Sequence, residues 1–105
     1  LQKLVNKVFY EQPDMDGMFL SNDILAAQCI AFALSQGLRI PDDLRIIGYD
    51  DIYISSLIYP SLTTIRQNYS VLAETALENV LAQINGEKVE EVTVIPVELI
   101  ERKTT

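Results

Sequence analysis

The sequence predicts an α/β fold, a parallel sheet flanked by helices. Short apolar runs at residues 17–20, 44–49 and 62–66 alternate with longer segments in which apolar side chains recur at helical spacing. Such alternation, with helices of about 12–17 residues, is typical of parallel sheets whose faces are covered by helices. The composition fits a globular domain, because 49% of the residues are hydrophobic and only four are glycine.

The chain begins with a predicted amphipathic helix that Pro13 ends. Its apolar stripe consists of Leu1, Leu4, Val5, Val8 and Phe9. A turn at 14–17 leads into the short buried strand at 17–20. The second helix, Asp23 to about Gln36, is apolar around most of its circumference, so we expect it to be covered on more than one side. Within it, Cys29 is predicted to be a buried hydrophobic residue rather than a reactive thiol.

Two further strands are predicted in the middle of the chain, at 44–49 and 62–66. The segment between them, 51–59, is predicted to be irregular or briefly helical and is ended by Pro60. The 62–66 strand is less hydrophobic than the others, which predicts an edge position or an exposed crossing. These two strands complete the central part of the predicted sheet.

The last predicted elements are a helix and an interrupted strand. Ser70 is expected to cap the helix, whose apolar stripe runs until Gly86 ends it. Residues 92–100 then supply a final strand, which Pro96 interrupts. No internal repeat or low-complexity segment accompanies these elements.

The residue types exclude several kinds of site. The net charge is −7, and the eight basic residues are scattered, whereas a phosphate-binding surface needs clustered lysine and arginine. With no histidine and one cysteine, the chain cannot build a Ser-His-Asp, Cys-His or zinc site alone. We therefore expect no metal, no cofactor and no direct contact with nucleic acid. No apolar run approaches the ~18 residues of a membrane span, so no membrane partner is expected either.

Three polar clusters follow the carboxyl ends of three predicted strands, at residues 21–23, 49–51 and 66–69. In a parallel sheet these ends lead into loops and helix N-termini, where ligands bind. Carboxylates and side-chain amides suit the hydroxyls of a sugar, and an aromatic ring suits its flat C–H face. Three such clusters on one edge of the sheet predict a ligand pocket.

Each cluster also has a purely structural explanation. Asn22 is explained by an N-cap role alone as the less favoured alternative, whereas for Asp23 a first-turn charge that complements the helix dipole is favoured over a ligand contact. Asp50 and Asp51 would then be solvated loop residues, although the abrupt change from apolar to acidic residues favours a function for one of them. The polar residues at 66–69 are open to both explanations.

Four motifs, in order, resemble the effector-binding domain of the LacI/GalR family of transcription regulators: SNDILAA, GLRIPDDLRIIGYDD, PSLTTIRQNY and IPVELIERKTT. The resemblance runs from about Asp16 to Thr105. It implies a two-lobed, periplasmic-binding-protein-like (type I) fold in which a small-molecule effector, a sugar by default, binds between the lobes. DNA would be bound only through an N-terminal helix-turn-helix domain that is absent from this chain.

The resemblance also assigns residues. It implies that Asn22 and Asp50 bind the ligand on the C-terminal lobe. Gln67 and Tyr69 would bind it where the chain crosses to the other lobe, whereas Asp51 would hold the loop. These four ligand-binding residues are the predicted site.

The resemblance further implies how the chain is divided and how it assembles. About 1–66 would form the C-terminal lobe, about 70–95 a segment of the N-terminal lobe, and about 96–105 a return to the C-terminal lobe. A homodimer would form through the Asp23–Gln36 helix and the Ile52–Tyr59 loop. Because there is no initiator methionine and no signal peptide, we expect a piece of a longer protein. The lack of paired cysteines permits a reducing cytoplasm, and the chain is expected to be ordered only as an oligomer or as the remnant of a proteolysed whole.

Two other functions fit parts of the pattern. A periplasmic-type sugar-binding transport protein has the same fold; an upstream signal peptide would favour it and a helix-turn-helix would refute it. An enzyme would use Asp23, Asp50 and Asp51 to hold Mg²⁺ for phosphoryl chemistry. That chemistry needs a further aspartate and a lysine at later strand ends, and neither is present. We therefore expect a regulator and no catalytic residue.

Overall fold

The computed structural model describes residues 2–105, so Leu1 of the predicted apolar stripe lies outside the described residues. The helices are α1 (Gln2–Glu11), α2 (Asp23–Ser35) and α3 (Tyr69–Ile84). The strands are β1 (Gly17–Phe19), β2 (Arg45–Tyr49), β3 (Thr63–Gln67) and β4 (Val97–Ile100). A 3₁₀ turn at Tyr53–Ser56 follows β2, within the segment predicted to be irregular or briefly helical.

The four strands form one sheet in the order β1-β2-β3-β4. β1 pairs with β2 and β2 with β3, both in parallel. Met18 lies opposite Ile46 and Ile47 opposite Thr63, so the carboxyl ends of the three strands point the same way. The prediction of an α/β fold with a parallel sheet is confirmed.

The chain divides into two compact units. Unit 1 contains the chain up to Arg66 together with Leu99–Thr105, and unit 2 is Gln67–Glu98. Unit 1 holds the core, in which α2 contributes Ala26, Cys29, Ile30 and Ala33, and β2 contributes Ile46. In unit 2, no residue of α3 is buried among the described residues, although one side of the helix is apolar. Helix α3 is thus an amphipathic helix without a core of its own.

Cys29 and α2 pack as predicted. The thiol is buried and unpaired, and desolvation raises its pKa, which confirms a packing role. Phe32 packs edge to face on Phe9 of α1, with ring centroids 5.0 Å apart. Helix α2 packs against both β2 and α1, which confirms that it is covered on more than one side, and Ile24 and Leu34 remain 49% and 42% exposed.

Three details of the sequence prediction were wrong. The third strand was predicted to lie at an edge or an exposed crossing, but β3 lies between β2 and β4. Its threonines, Thr63 and Thr64, can be buried there because their hydroxyls are hydrogen-bonded. Helix α3 is capped by Asn68, whose Oδ1 accepts from the backbone N–H of Val71 at 3.1 Å, and Ser70 lies inside the helix. The last strand begins only after Pro96, and residues 92–96 form no strand.

The C-terminal segment is attached to β2 and β3 by Thr104, which is fully buried. Its Oγ1 donates to the carbonyl oxygen of Ile46 at 2.6 Å and accepts from the backbone N–H of Thr63 at 2.9 Å. Its own carbonyl oxygen accepts from the N–H of Ile46 at 2.9 Å. One side chain therefore satisfies backbone groups of both β2 and β3.

The Thr104→Val variant is expected to lower the free energy of unfolding by about 2 kcal/mol. Valine has nearly the same shape but leaves a buried N–H and a buried carbonyl without this partner. Urea unfolding of the full-length protein measures the loss, with Thr93→Val, at an exposed position, as the matched control. Equal stability of the two variants would show that the Thr104 hydroxyl contributes nothing.

Candidate functional site

The candidate site begins at the carboxyl end of β1 with Asn22, the N-cap of α2. The residue is exposed and extended (φ −160°), and its Oδ1 accepts from the N–H of Leu25 at 2.8 Å. The bond satisfies one of the unpaired N–H groups of the first turn. The structural explanation of Asn22 is therefore correct, and its amide nitrogen still lies at the edge of the sheet where a ligand role was predicted.

Asp23 is a buried acidic residue in the first turn of α2. Only 1% of the residue is exposed. Its Oδ1 accepts from the hydroxyl of Thr64 at 2.5 Å, and its Oδ2 accepts from the N–H of Ile52 at 2.8 Å. The carboxylate thus joins α2 to β3 and to the loop after β2, in addition to its predicted place as an acidic charge in the first turn of α2.

Gly48 of β2 makes room for this carboxylate. A Cβ at this position would lie 2.2 Å from Oδ1 of Asp23 and 2.9 Å from Cδ2 of Leu62. Both distances are shorter than van der Waals contact, so any side chain here would displace Asp23 or Leu62. The glycine that ends the apolar run of β2 is required by packing.

The loop after β2 has an unusual backbone at Asp50 and Asp51, whose φ angles are 107° and 51°. Positive φ is uncommon outside glycine, and aspartate and asparagine are the residues that tolerate it best. The N–H of Asp50 donates to the carbonyl oxygen of Ile65 at 2.8 Å, which ties the turn to β3. Asp50 is half-buried at the carboxyl edge of the sheet, as predicted for a ligand residue.

Asp51 holds the loop, in agreement with the role that the resemblance implied. Its carboxylate pairs with Arg66 at 2.7 Å and with Arg102 at 2.7 Å, and it accepts from the hydroxyl of Ser55 at 3.0 Å. Burial alone would raise the pKa of Asp51, but the hydrogen bonds from both arginines and Ser55 outweigh it and lower that pKa. This stabilisation is present above the unfolded pKa, near 3.8, and is lost as the pH falls through the folded value.

An aromatic pair lies at the same edge. The rings of Phe19, at the end of β1, and Tyr49, at the end of β2, meet edge to face with centroids 6.5 Å apart. Phe19 is 67% exposed, which is unusual for a large apolar side chain at a strand end. The prediction that the 17–20 strand is buried was wrong for Phe19, because a three-residue strand gives too little alternation to tell an inward from an outward side chain.

Gln67 and Tyr69 begin unit 2, at the end of β3 and the start of α3. The side-chain amide of Gln67 donates to the phenolic oxygen of Tyr69 at 3.5 Å, a long hydrogen bond. Tyr69 is 54% exposed. The structure thus joins these two predicted residues to each other, and the ligand role of all four predicted residues stays a prediction.

Two other features bear on the site. In residues 2–105 no group of three or more histidine, cysteine or acidic side chains is arranged to hold a metal ion, and no helix is long and apolar enough to cross a membrane. A cleft of about 930 Å³ lies elsewhere in unit 1, among α1, the 12–16 loop and residues 36–43. None of the predicted ligand residues lines it, so nothing connects it with the strand-end site.

Known proteins resemble the whole chain. The periplasmic binding protein-like domain matches residues 1–105. The ribose operon repressor of Bacillus subtilis (strain 168) is 39% identical over 105 residues, which are 99% of this chain and 32% of that protein. A periplasmic binding protein/LacI transcriptional regulator from Alkaliphilus metalliredigens QYMF, complexed with D-xylulofuranose, is 46% identical with a TM-score of 0.75, over 86% of this chain and 34% of that one.

The fold is shared with a second solved structure, the lac repressor dimer bound to operator and the anti-inducer ONPF. The TM-score is 0.89 at 32% sequence identity, over 98% of this chain and 36% of that one. The chain spans about a third of the length of the curated relatives it matches. The parallel sheet with polar residues at its carboxyl edge agrees with the family match over residues 1–105, and the chain belongs to the periplasmic binding protein-like domain family. Its curated relatives include the repressors of the ribose and lactose operons.

Proposed function

We propose that this chain is the effector-sensing part of a transcriptional regulator that binds a sugar. The observation that carries the proposal is the Asp50 carboxylate, held at the carboxyl edge of the sheet on a positive-φ turn beside the Phe19–Tyr49 aromatic pair. A carboxylate accepts hydrogen bonds from two neighbouring hydroxyls, and the rings offer an apolar surface to the C–H face of a sugar. Binding, rather than catalysis, is the role of this site.

The remaining predicted residues have complementary roles in this proposal. The amides of Asn22 and Gln67 each donate and accept, which suits a hydroxyl that needs both. Tyr69 offers a ring face with a hydroxyl at its tip. Pockets that combine apolar walls with a few orienting polar groups are the usual form of small-molecule sites.

A pentose is the sugar class that we propose first. The Bacillus subtilis relative is named for the ribose operon, and the Alkaliphilus metalliredigens relative was solved with D-xylulofuranose. Ribose and xylulose are both five-carbon sugars. The site of this chain provides one carboxylate near its aromatic pair, and a pentose presents enough vicinal hydroxyls to engage it together with the amides.

The regulator would act in the cytoplasm as a homodimer. We propose that α2 and the Ile52–Tyr59 loop form the interface, because Leu57 and Tyr59 of the loop are 61% and 92% exposed and Ile24 of α2 is 49% exposed. The lac repressor relative was solved as a dimer on its operator. The sugar would bind one arrangement of the protein better than another and so change the DNA affinity of a domain outside this chain.

Replacing Asp50 with asparagine is expected to weaken pentose binding about 10-fold to 100-fold. Asparagine keeps the shape and tolerates positive φ, whereas alanine would add backbone strain to the loss of charge. A hydrogen bond to a charged group contributes about 1.5–3 kcal/mol, which corresponds to that range. Calorimetry on the full-length protein with D-ribose, D-xylulose, D-galactose and hypoxanthine measures the affinity of each variant.

Asp14→Asn, which removes an exposed carboxylate from the loop after α1, is the matched control. It is expected to bind like the unmodified protein. Binding of a sugar with the same affinity by the Asp50→Asn variant would move the site away from this edge. Binding of hypoxanthine alone would replace the sugar with a nucleobase as the effector class.

A further inference from the structure

Two arginines and one carboxylate connect the two segments of unit 1 through which the chain enters and leaves unit 2. Arg66 is the last residue of unit 1 before the chain enters unit 2, and Arg102 lies three residues after the chain returns at Leu99. Both side chains pair with Asp51, Arg66 through Nε to Oδ2 and Arg102 through Nη2 to Oδ1, each at 2.7 Å. A single carboxylate thus bridges the outgoing and the returning segments.

The arginine of the returning segment makes further contacts. Arg102 Nη1 donates to the hydroxyl of Ser55 at 3.0 Å and to the carbonyl oxygen of Leu62 at 2.9 Å. Its backbone N–H donates to the hydroxyl of Thr63 at 2.8 Å. The guanidinium is therefore fixed in orientation, which a planar five-donor group achieves better than lysine would.

The bridging carboxylate is attached to the backbone next to the proposed ligand residue. Asp51 directly follows Asp50, both have positive φ, and the Asp51 side chain is only 8% exposed. A strained backbone persists only where its surroundings hold it in place. The two ion pairs of Asp51 and its bond to Ser55 hold this turn through a side chain, in addition to the backbone bond from Asp50 to Ile65.

We propose that Asp51 is a positioning residue that holds the Asp50 turn and ties it to both segments through which the chain passes to and from unit 2. A change at Asp50 then reaches residues 63–67 and 99–104 through one side chain, without a chain of intermediate residues. This connection through Asp51, the Asp51 tie, is inferred from the ion pairs and hydrogen bonds of Asp51. Its role in the response to a bound sugar rests on the proposed function.

The two arms of the tie differ in strength. The Arg66 side chain is 50% exposed, so solvent screens its ion pair, whereas the Arg102 side chain is 17% exposed and its pair is screened less. Removing the Arg102 arm is therefore expected to loosen the turn more than removing the Arg66 arm. This ordering separates a tie from a general loss of charge.

Hydrogen–deuterium exchange on the full-length protein tests the tie, with Asp51→Asn as the variant. Asparagine tolerates the positive φ but accepts only weakly from two arginines. Without sugar, exchange is expected to rise together at 49–53 and 99–104, about 10-fold or more. Arg102→Met is expected to reproduce this pattern and Arg66→Met to give a smaller rise.

The same exchange experiment is repeated with a saturating concentration of D-ribose. In the unmodified protein we expect protection at 49–53 and at 99–104, and in Asp51→Asn protection at 49–53 only, with affinity reduced about 10-fold. A residue that merely stabilises the fold would lower the melting temperature and leave sugar-induced protection at 99–104 intact. Asp43→Asn, which removes the carboxylate of the Arg39–Asp43 pair at 2.8 Å, is the matched control.

The outcomes distinguish the two proposals. Unchanged exchange at 99–104 in Asp51→Asn, or the same rise in Asp43→Asn, overturns the tie. Failure of the unmodified protein to bind D-ribose or any other sugar overturns the proposed function, and the sugar-free exchange then decides the tie alone. A joint rise at both segments with intact sugar-induced protection at 99–104 overturns the transmission of a sugar signal through Asp51.

Discussion

The Gly48→Ala variant is expected to lose about 3 kcal/mol or more of unfolding free energy. The added Cβ would lie 2.2 Å from Oδ1 of Asp23, and that oxygen cannot move away freely because it accepts from Thr64. The other near neighbour, Leu62, is fully buried and equally confined. Overpacking a filled core costs about 1–3 kcal/mol, and displacing a buried, hydrogen-bonded carboxylate adds to that cost.

Gly17→Ala is the matched control, since Gly17 is also a strand glycine. A Cβ there meets only the carbonyl oxygen of Arg45 at 3.9 Å, an ordinary contact distance. Urea unfolding of the full-length protein compares the two variants. If Gly48→Ala and Gly17→Ala unfold at the same urea concentration, the close approach of Asp23 to Gly48 does not limit the packing of β2.

The Asp23→Ala variant is expected to lower the unfolding free energy by about 3 kcal/mol. Alanine leaves the N–H of Ile52 and the hydroxyl of Thr64 without their partner, and each unsatisfied buried group costs about 1–3 kcal/mol. A charge that only complemented the dipole of α2 would contribute about 0.3–1 kcal/mol. The size of the loss therefore distinguishes the two roles.

Asp14→Ala, at an exposed position, controls for the removal of a carboxylate. A loss below about 1 kcal/mol for Asp23→Ala would show that the charge of Asp23 only complements the dipole of α2. The double variant Gly48→Ala/Asp23→Ala gives a further check. Its loss is expected to be smaller than the sum of the single losses, because removing the carboxylate makes room for the Cβ.

The order of strands and helices could be predicted because it depends on local patterns. Apolar periodicity along α2 and the Asn22 cap before it are visible within about one turn of the chain. Gly48, which ends the apolar run of β2, is likewise visible in the local sequence. The prediction failed where two nearby residues suit the same role. Ser70 was predicted to cap α3, but Asn68, which is an equally good cap residue, occupies that position.

The inner position of β3 shows a different limit. Threonine is only moderately hydrophobic, so Thr63 and Thr64 indicated an edge strand. Their burial is possible because the partners of their hydroxyls come from distant parts of the chain: Thr64 pairs with Asp23, and Thr63 bonds with Thr105 and Arg102. A buried polar group is stable only when it is hydrogen-bonded, and its sequence neighbours do not reveal that bond.

Local patterns along the chain were enough to predict the α/β class, the bounds of most elements to within a few residues, and the edge of the sheet where polar side chains gather. Tertiary structure alone decided which acidic residue does what. Asp23, Asp50 and Asp51 are alike in sequence, yet one is buried against Gly48, one lies on a positive-φ turn at the strand end, and one joins two arginines. The reason is physical: the environment of a charge is set by groups 15 to 51 residues away, which meet it only when the chain has folded.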